Sequence, residues 1–319
     1  MEKQPLVSIV IITYNSAEYV LETLDSAMNQ TYPNIEIIVT DDCSTDNTVD
    51  LCQNWIKHHR QLGKNLKLIC AEKNTGTADN CNRGLYAAKG EWIKIIAGDD
   101  LLLPDAIESY ISFANSSPNI DVVFANLSRF SGTKPNYAIE ECELHYKKLF
   151  FLNSKITAQK QYNILRHTFV GSGPTFFAKT AVLKDVGGYD TRFYLQEDHP
   201  MFIKLTKNGH QFYLLDKVAV LWRKNENSVT HSKNNKDALF GNHKIRMIKE
   251  YKYLYLKEEL NIVWKELLCF SLWIQNKVID TGNSYNSKRS LFYFTLYRAI
   301  DPFIWYNRIL CLREKLMKL

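Results

Sequence analysis

The sequence predicts an α/β protein: a mostly parallel open sheet with flanking helices, followed by a helical C-terminal extension. Three observations carry this reading. Continuous apolar runs such as Val7-Ser-Ile-Val-Ile-Ile12 lack a polar alternate face, as strands buried on both sides do. Such runs recur at intervals of about 30 residues with helical patterns between them, the spacing of strand–helix units whose strands pair in parallel. Beyond about Ser232 the pattern changes to helical stretches rich in Tyr, Trp, Lys and Arg.

Taken in order, the first strand is read at Val7–Thr13 and a helix at Ala17–Asn29. A second strand at Ile35–Thr40 leads into a helix at Thr48–Arg60. Further strands are read at Leu66–Cys70, Trp92–Ala97 and Asp121–Ala125. From Gly132 to about Tyr162 the periodicity is weak, as in a connecting region. A smaller α/β portion follows, with a strand at Thr175–Ala178, a turn at Gly187-Gly188, a helix at Asp198–Lys207 and a strand at Gln211–Leu215. The expected organisation is one domain over residues 1–231, its two halves meeting near residue 130, and a helical extension over 232–319.

With 319 residues, 45% of them hydrophobic, the chain can bury a substantial core. Met1–Pro5 run straight into a strand pattern without a charged-then-apolar leader, and no apolar run approaches the roughly 20 residues that span a bilayer. Seven cysteines are scattered without a CxxC pair, which fits reduced thiols in the cytosol better than a disulfide framework or a zinc site. The expected location is therefore cytoplasmic. The net charge of +6 is uneven: residues 232–319 hold 16 Lys/Arg against 8 Asp/Glu, and residues 1–231 hold 24 against 26. A slightly acidic body argues against a nucleic-acid or polyanion binder, the more so because the basic residues of the tail accompany large apolar ones.

Ligands of open α/β sheets bind outside the carboxyl ends of the strands. Two acidic pairs stand there. The second strand ends in Thr40-Asp41-Asp42-Cys43-Ser44-Thr45-Asp46, where Ser44 or Asp46 can cap the next helix but Asp41 and Asp42 precede any cap. The fourth ends in Ala97-Gly98-Asp99-Asp100, which reads either as a turn before Pro104 or as a hard-oxygen site for Mg²⁺ or Mn²⁺ shared with phosphates.

The string Val7–Asn15, with Tyr19, Gln30-Thr-Tyr-Pro33 and Asp41–Asp46, resembles family 2 glycosyltransferases of the GT-A fold. The resemblance continues in the family's order through Asn74-Thr-Gly76, Asn82-Arg-Gly84, Gly90-Glu-Trp92, Asp99-Asp100, Gly187-Gly-Tyr-Asp190 and Glu197-Asp198, covering roughly residues 6–230. It points to bacterial enzymes that build surface polysaccharides and O-antigens. It implies a GT-A, Rossmann-like catalytic domain with a nucleotide-binding half at about 1–130 and an acceptor half at about 131–231.

By that resemblance Thr13 and Asn15 line the nucleotide site, and Asn74 belongs to it. Asp42 accepts a hydrogen bond from uracil, supported by Asp41; Asp99 faces the ribose and Asp100 the divalent cation, Mn²⁺ or Mg²⁺, on the diphosphate. Asp198 is the catalytic base of an inverting, single displacement from a nucleotide sugar, with a UDP-sugar as the expected donor. Glu197 orients the loop or caps the helix, a role that acidic residues in a first turn also fill as bland partners of the helix dipole. Gly171-Ser172 and Arg223 are placed on the acceptor or supporting side, where a plain loop is the alternative for Gly171-Ser172.

The chain departs from the family at Cys81, where an Arg is common, and at Asn225, where a metal-ligating His often stands; His231 is the nearest substitute. The Gln-x-x-Arg-Trp motif of processive synthases is absent, which favours transfer of a single sugar. The extension holds fifteen aromatics. After Asp301-Pro302, a helix start by composition, Trp305, Ile309, Leu312 and Leu316 share a face with interspersed Arg308, Arg313, Lys315 and Lys318. Such a helix can lie on the inner face of the cytoplasmic membrane, near a polyprenyl-diphosphate-linked saccharide acceptor, or pack on protein or another subunit. Two other functions stay open. One is a nucleotidyltransferase, although Thr13-Tyr-Asn-Ser16 stands where a Gly-rich phosphate loop would be; the other is a non-catalytic sugar-nucleotide-binding scaffold.

Overall fold

A computed structural model describes residues 4–63, 65–140, 156–165, 173–193 and 197–224, together with isolated helical positions beyond residue 262. The chain forms two compact units, Met1–Leu165 with Val170–Lys224, and Arg166–Phe169 with Asn225–Leu319. The first unit is built on one mixed sheet.

Its first half follows the strand–helix repeat. Strand β1 is Val7–Thr13, helix α1 Val20–Met28, β2 Ile35–Asp41, α2 Thr48–His59, β3 Asn65–Cys70, α3 Thr77–Ala87 and β4 Trp92–Ala97. These four strands lie in the order β3-β2-β1-β4 and pair in parallel throughout. β1 and β2 are buried almost without interruption, as their mostly apolar runs require, and among the polar exceptions the Ser8 hydroxyl donates to Glu36 at 2.5 Å. Gly84 on α3 lies over Val10 so closely that a Cβ there would come within 2.2 Å of Val10 Cγ1. Glycine at this position lets the helix seat directly on β1.

The second half breaks the repeat. Strand β5 is Leu101–Leu102, helix α4 Ala106–Asn115, β6 Val122–Ser131, β7 Ala138–Glu140, α5 Ala158–Leu165, β8 Phe176–Lys179, α6 Thr180–Asp185, α7 Asp198–Lys207 and β9 Phe212–Arg223. The sheet continues β4-β8-β6-β9-β5, with β7 on the edge of β6. β8 runs against both β4 and β6, β5 runs against β9, and β6 and β9 are parallel. The mostly parallel order expected from the sequence thus ends at β4. Past it, strands no longer alternate with crossover helices, so nothing forces a common direction.

Both halves share one core. Val7, Ile9, Ile11, Leu24, Ile37 and Trp92 are contiguous with Tyr110, Val123, Phe177 and Val220, all buried. Trp92, Phe177 and Tyr110 stack in series, with ring centroids 5.0 and 4.7 Å apart. This packing places the carboxyl ends of β1, β2 and β4, the start of α7 and the end of β9 in fixed relation. In the second unit, Val263, Glu266, Leu267 and Phe270 line one apolar surface patch, and the Phe270 and Trp273 rings stack at 5.8 Å.

Candidate active site

At the carboxyl ends of β1 and β2 the side chains are tied to one another. The Thr13 hydroxyl donates to Asp41 Oδ2 at 2.8 Å, and the N–H and hydroxyl of Ser44 donate to Asp41 Oδ1 and Oδ2 at 2.8 and 2.5 Å. Asp41 is fully buried and braces the loop that follows β2. Asn15, at φ +50°, donates its N–H to Ser44 Oγ and accepts the Thr45 N–H on Oδ1, both at 2.8 Å. Asp46, of the two cap candidates, bonds the first N–H of α2, through Thr48 at 3.0 Å, and also accepts the Ala17 N–H. Ser44 is occupied by Asp41 and Asn15.

Asp42 is buried and heavily bonded. Oδ2 accepts the Gly76 N–H at 2.7 Å and shares the Thr75 N–H with Oδ1; Oδ1 also takes the Thr75 hydroxyl at 2.8 Å and an ion pair from Arg83. Both oxygens are thus taken by protein donors on a buried side chain, so the hydrogen bond expected from uracil finds no free acceptor on Asp42 in this arrangement. Asp42 is also the anchor of the 74–76 loop, which leaves Asn74 on the surface. Arg83, in the second turn of α3, was not singled out from the sequence; the signal was its place two residues after Cys81, where the family's Arg is missing.

At the end of β4, Gly98 donates to the Ile12 carbonyl at 2.9 Å, bringing the Asp99-Asp100 turn beside the end of β1. Arg223, the last residue of β9, organises this turn. Its N–H donates to Asp100 Oδ1 at 2.9 Å and its Nε to the Asp99 carbonyl at 2.7 Å; its guanidinium also bonds Gly132 O and Glu22, and lies 4.3 Å from the ring centres of Tyr19 and Phe130. With 1% of its surface exposed, Arg223 supports the acidic turn from below and is not available to an acceptor. Burial raises both carboxyls, and the charge of Asp99 raises Asp100 further, well above the ordinary aspartate range.

No three His, Cys, Asp or Glu side chains converge among the described residues, so protein atoms there do not enclose a cation. Mg²⁺ and Mn²⁺ at phosphate sites are commonly held by one or two carboxylates, with substrate oxygens and water completing the shell. Two adjacent carboxylates disfavoured as anions by burial, one of them given a single N–H, form a donor set that fits this mode.

A third acidic pair, Glu197-Asp198, stands at the start of α7. Asp198 is half-buried as a residue, but its carboxyl is enclosed and accepts the Gly173 N–H. The fit is tight: a Cβ on Gly173 would lie 2.2 Å from Asp198 Oδ2. Burial raises Glu197 and Asp198 alike, and the charge of Asp198 raises Glu197 further. The neighbouring groups are Lys94 on β4, the buried Cys81 on α3 and the buried Tyr189. Asn82, beside Cys81, clamps the Tyr189 backbone with two amide hydrogen bonds of 2.8 and 2.9 Å, so the Asn82–Gly84 and Gly187–Asp190 segments meet here. Lys94 went unnoticed in the sequence, although a lysine inside the strand Trp92-Ile-Lys-Ile-Ile-Ala97 was a visible anomaly. Gly171, Ser172 and His231 lie outside the described residues.

The chain is similar to known proteins across this whole region. Residues 8–187 match the family described as Glycosyl transferase family 2. An uncharacterized glycosyltransferase of Methanocaldococcus jannaschii is 26% identical over 221 residues, 69% of this chain and 71% of that protein. A putative teichuronic acid biosynthesis glycosyltransferase of Bacillus subtilis, TuaG, is 33% identical over 34% of this chain; the matched segment spans 42% of its length. Among solved structures, residues 1–349 of S. aureus TarS in complex with UDP-GlcNAc superpose with a TM-score of 0.58 at 22% identity, covering 92% of this chain and 81% of that one. The Pyrobaculum calidifontis mannosyltransferase PcManGT, in complex with GDP-Man and Mn²⁺, gives 0.55 at 21% identity, covering 78% and 64%. These likenesses share the GT-A fold, and with the family match over more than half of its length the chain is a glycosyltransferase belonging to glycosyl transferase family 2.

Proposed function

We propose that this glycosyltransferase moves one sugar from a UDP-sugar to a saccharide hydroxyl with inversion at the anomeric carbon, in the presence of Mg²⁺ or Mn²⁺. The observation that carries the reading is the placement of Asp198. It is a carboxylate in an enclosed setting, held by a backbone N–H at the start of α7, in the same unit as the Asp99-Asp100 turn. Asp198 takes the acceptor hydroxyl proton as its oxygen bonds the anomeric carbon. The bond from that carbon to the diphosphate oxygen breaks, and its electron pair leaves with UDP. One base suffices for a single displacement, and no covalent intermediate is formed.

Thr13, Asn15, Asp41, Asp42 and Asn74 make the nucleotide side, with Asp42 shaping it by holding the 74–76 loop and Asp99 turned toward the ribose. Asp100 would hold the dication together with the diphosphate, and that charge would offset the one developing on the leaving group. Glu197 keeps the proton of the acidic pair, so that Asp198 carries its charge.

For the acceptor we favour a saccharide on a polyprenyl diphosphate, in assembly of a surface polysaccharide of the O-antigen or teichuronic acid kind. The name of the relative TuaG supports this class, and so does the basic, aromatic composition of residues 232–319, suited to contact with the inner face of the membrane. Among the described residues no helix is long and apolar enough to cross a membrane. Calorimetry with a panel of UDP- and GDP-sugars tests the donor and cation together. The Asp100→Ala variant should lose the affinity gained on adding Mn²⁺ while keeping the weaker, cation-independent affinity. Equal Mn²⁺ dependence in wild type and variant would remove Asp100 from the cation site.

A further inference from the structure

Lys94 stands at the centre of β4 with none of its surface exposed, paired in register with Ile9 of β1 and Phe177 of β8. An ammonium there is costly: a buried charge is disfavoured unless it is paired or fully hydrogen-bonded, and among the described residues no carboxylate lies within ion-pair distance of it. Burial accordingly pushes Lys94 down to about 7, against the pull of Asp100 and Asp198. Its hydrogen bonds go to backbone carbonyls: Ile95 at 2.9 Å, Phe176 at 3.3 Å and Pro174. Tyr110 holds the carbonyl between the last two, donating to Thr175 O at 2.7 Å. Three successive carbonyls, 174 to 176, are thus pinned from within the core, and the next residue back is Gly173, whose N–H bonds the Asp198 carboxylate. A methionine would fill the same space without the desolvation cost.

We propose that Lys94 is a positioning residue for sugar transfer: its ammonium fixes the 174–176 backbone so that Gly173 presents its N–H to Asp198 and sets the direction of that carboxylate. The inference rests on the reading of Asp198 as the base. Lys94 touches neither donor nor acceptor and acts through the strap. The strap joins β4, which ends in the acidic turn on the donor side, to the first residue of α7.

The test uses the full chain and the nucleotide sugar that most raises Tm in a panel of UDP- and GDP-sugars with Mn²⁺, with turnover read as nucleotide released to water as acceptor. Lys94→Met should lower kcat about 10- to 100-fold, since misplacing a reacting group by about 1 Å can cost 10²-fold. Donor KM should stay within about twofold, and Tm should fall by a few degrees at most, because loss of a buried charge offsets part of the cost of carbonyls left without a donor. Gly173→Ala, whose Cβ would press directly on the Asp198 carboxylate, is the control for a displaced base and should give a kcat-only loss. If Lys94→Met does not fold, Lys94→Gln, which keeps a donor amide, takes its place and should show a smaller kcat-only loss. A folded Lys94→Met with wild-type kcat, a Gly173→Ala with wild-type kcat, or a kcat loss matched by an equal rise in KM would each overturn the proposal. Asp198→Asn measured alongside separates the two readings. An inactive Asp198→Asn beside a normal Lys94→Met sinks the positioning role alone, whereas an active Asp198→Asn sinks the base and the positioning role with it.

Discussion

Asp198 and Glu197 are adjacent carboxyls in one enclosed environment, and burial does not let both ionise near neutrality. Burial lifts Asp198 to about 6, and burial with the charge of Asp198 lifts Glu197 to about 8. The Asp198 carboxyl must be deprotonated to accept the acceptor's proton, so turnover rises as pH rises through about 6. Measured as kcat at saturating donor and Mn²⁺, so that the profile reports the bound complex, the rate should fall about tenfold per pH unit below that point. A profile flat down to pH 4.5 would mean that the group controlling the rate titrates as an ordinary exposed aspartate. At this scale the sequence was informative where chemistry shows in residue type: adjacent Asp pairs after strands are rare enough to notice. It was silent about Lys94, Arg83 and Gly173, whose roles come from what they touch. Lys94 is paired with backbone carbonyls, and those leave no trace in residue type.

The elements show the same division. β1, β2 and β4 were legible to within a residue because a strand buried on both faces is mostly apolar, with few polar residues such as Glu36 and Lys94. β9 was not. The sequence reads a strand at Gln211–Leu215, yet the strand runs Phe212–Arg223. The apolar run is broken by Asp216-Lys217, which lie where the register between β6 and β9 shifts, with Asp216 accepting a hydrogen bond from Asn126 and Lys217 paired with Asp105. A bulge absorbs polar residues without ending a strand, and periodicity cannot tell the two apart. What the longer β9 achieves is to deliver Arg223 beneath the Asp99-Asp100 turn. Removing one member of a buried, hydrogen-bonded ion pair typically costs about 3–5 kcal/mol, because the remaining groups are left unsatisfied. Arg223→Met should therefore destabilise the fold by about that amount in urea denaturation, and its remaining folded fraction should bind donor with Mn²⁺ more weakly. A loss below 1 kcal/mol would show that Arg223 is not the anchor of the turn.

Across the whole molecule, the parallel half of the sheet and the positions of the loops at its carboxyl edge were legible because they repeat one strand–helix unit. The antiparallel insertion of β8 was not, since residue pattern reports which faces are buried and not the direction of the chain. Residues 232–319 carry the one expectation on which composition stands nearly alone. If that segment meets the membrane, the full chain should co-sediment with liposomes containing anionic lipid, and higher salt should weaken the binding without abolishing it, since salt screens charge but leaves apolar burial intact. Absence of binding at low salt would assign the aromatic, basic faces to protein contacts.

On the proposed mechanism a lone carboxylate, Asp198, drives the transfer. The most direct measurement is turnover of Asp198→Asn beside its donor affinity, with the fold checked by Tm. The amide is nearly isosteric but cannot take the acceptor's proton, and general-base catalysis is worth about 10²–10⁴-fold in rate. The account predicts a kcat loss in that range with donor affinity and Tm close to wild type; near-normal turnover in a folded Asp198→Asn protein would contradict it.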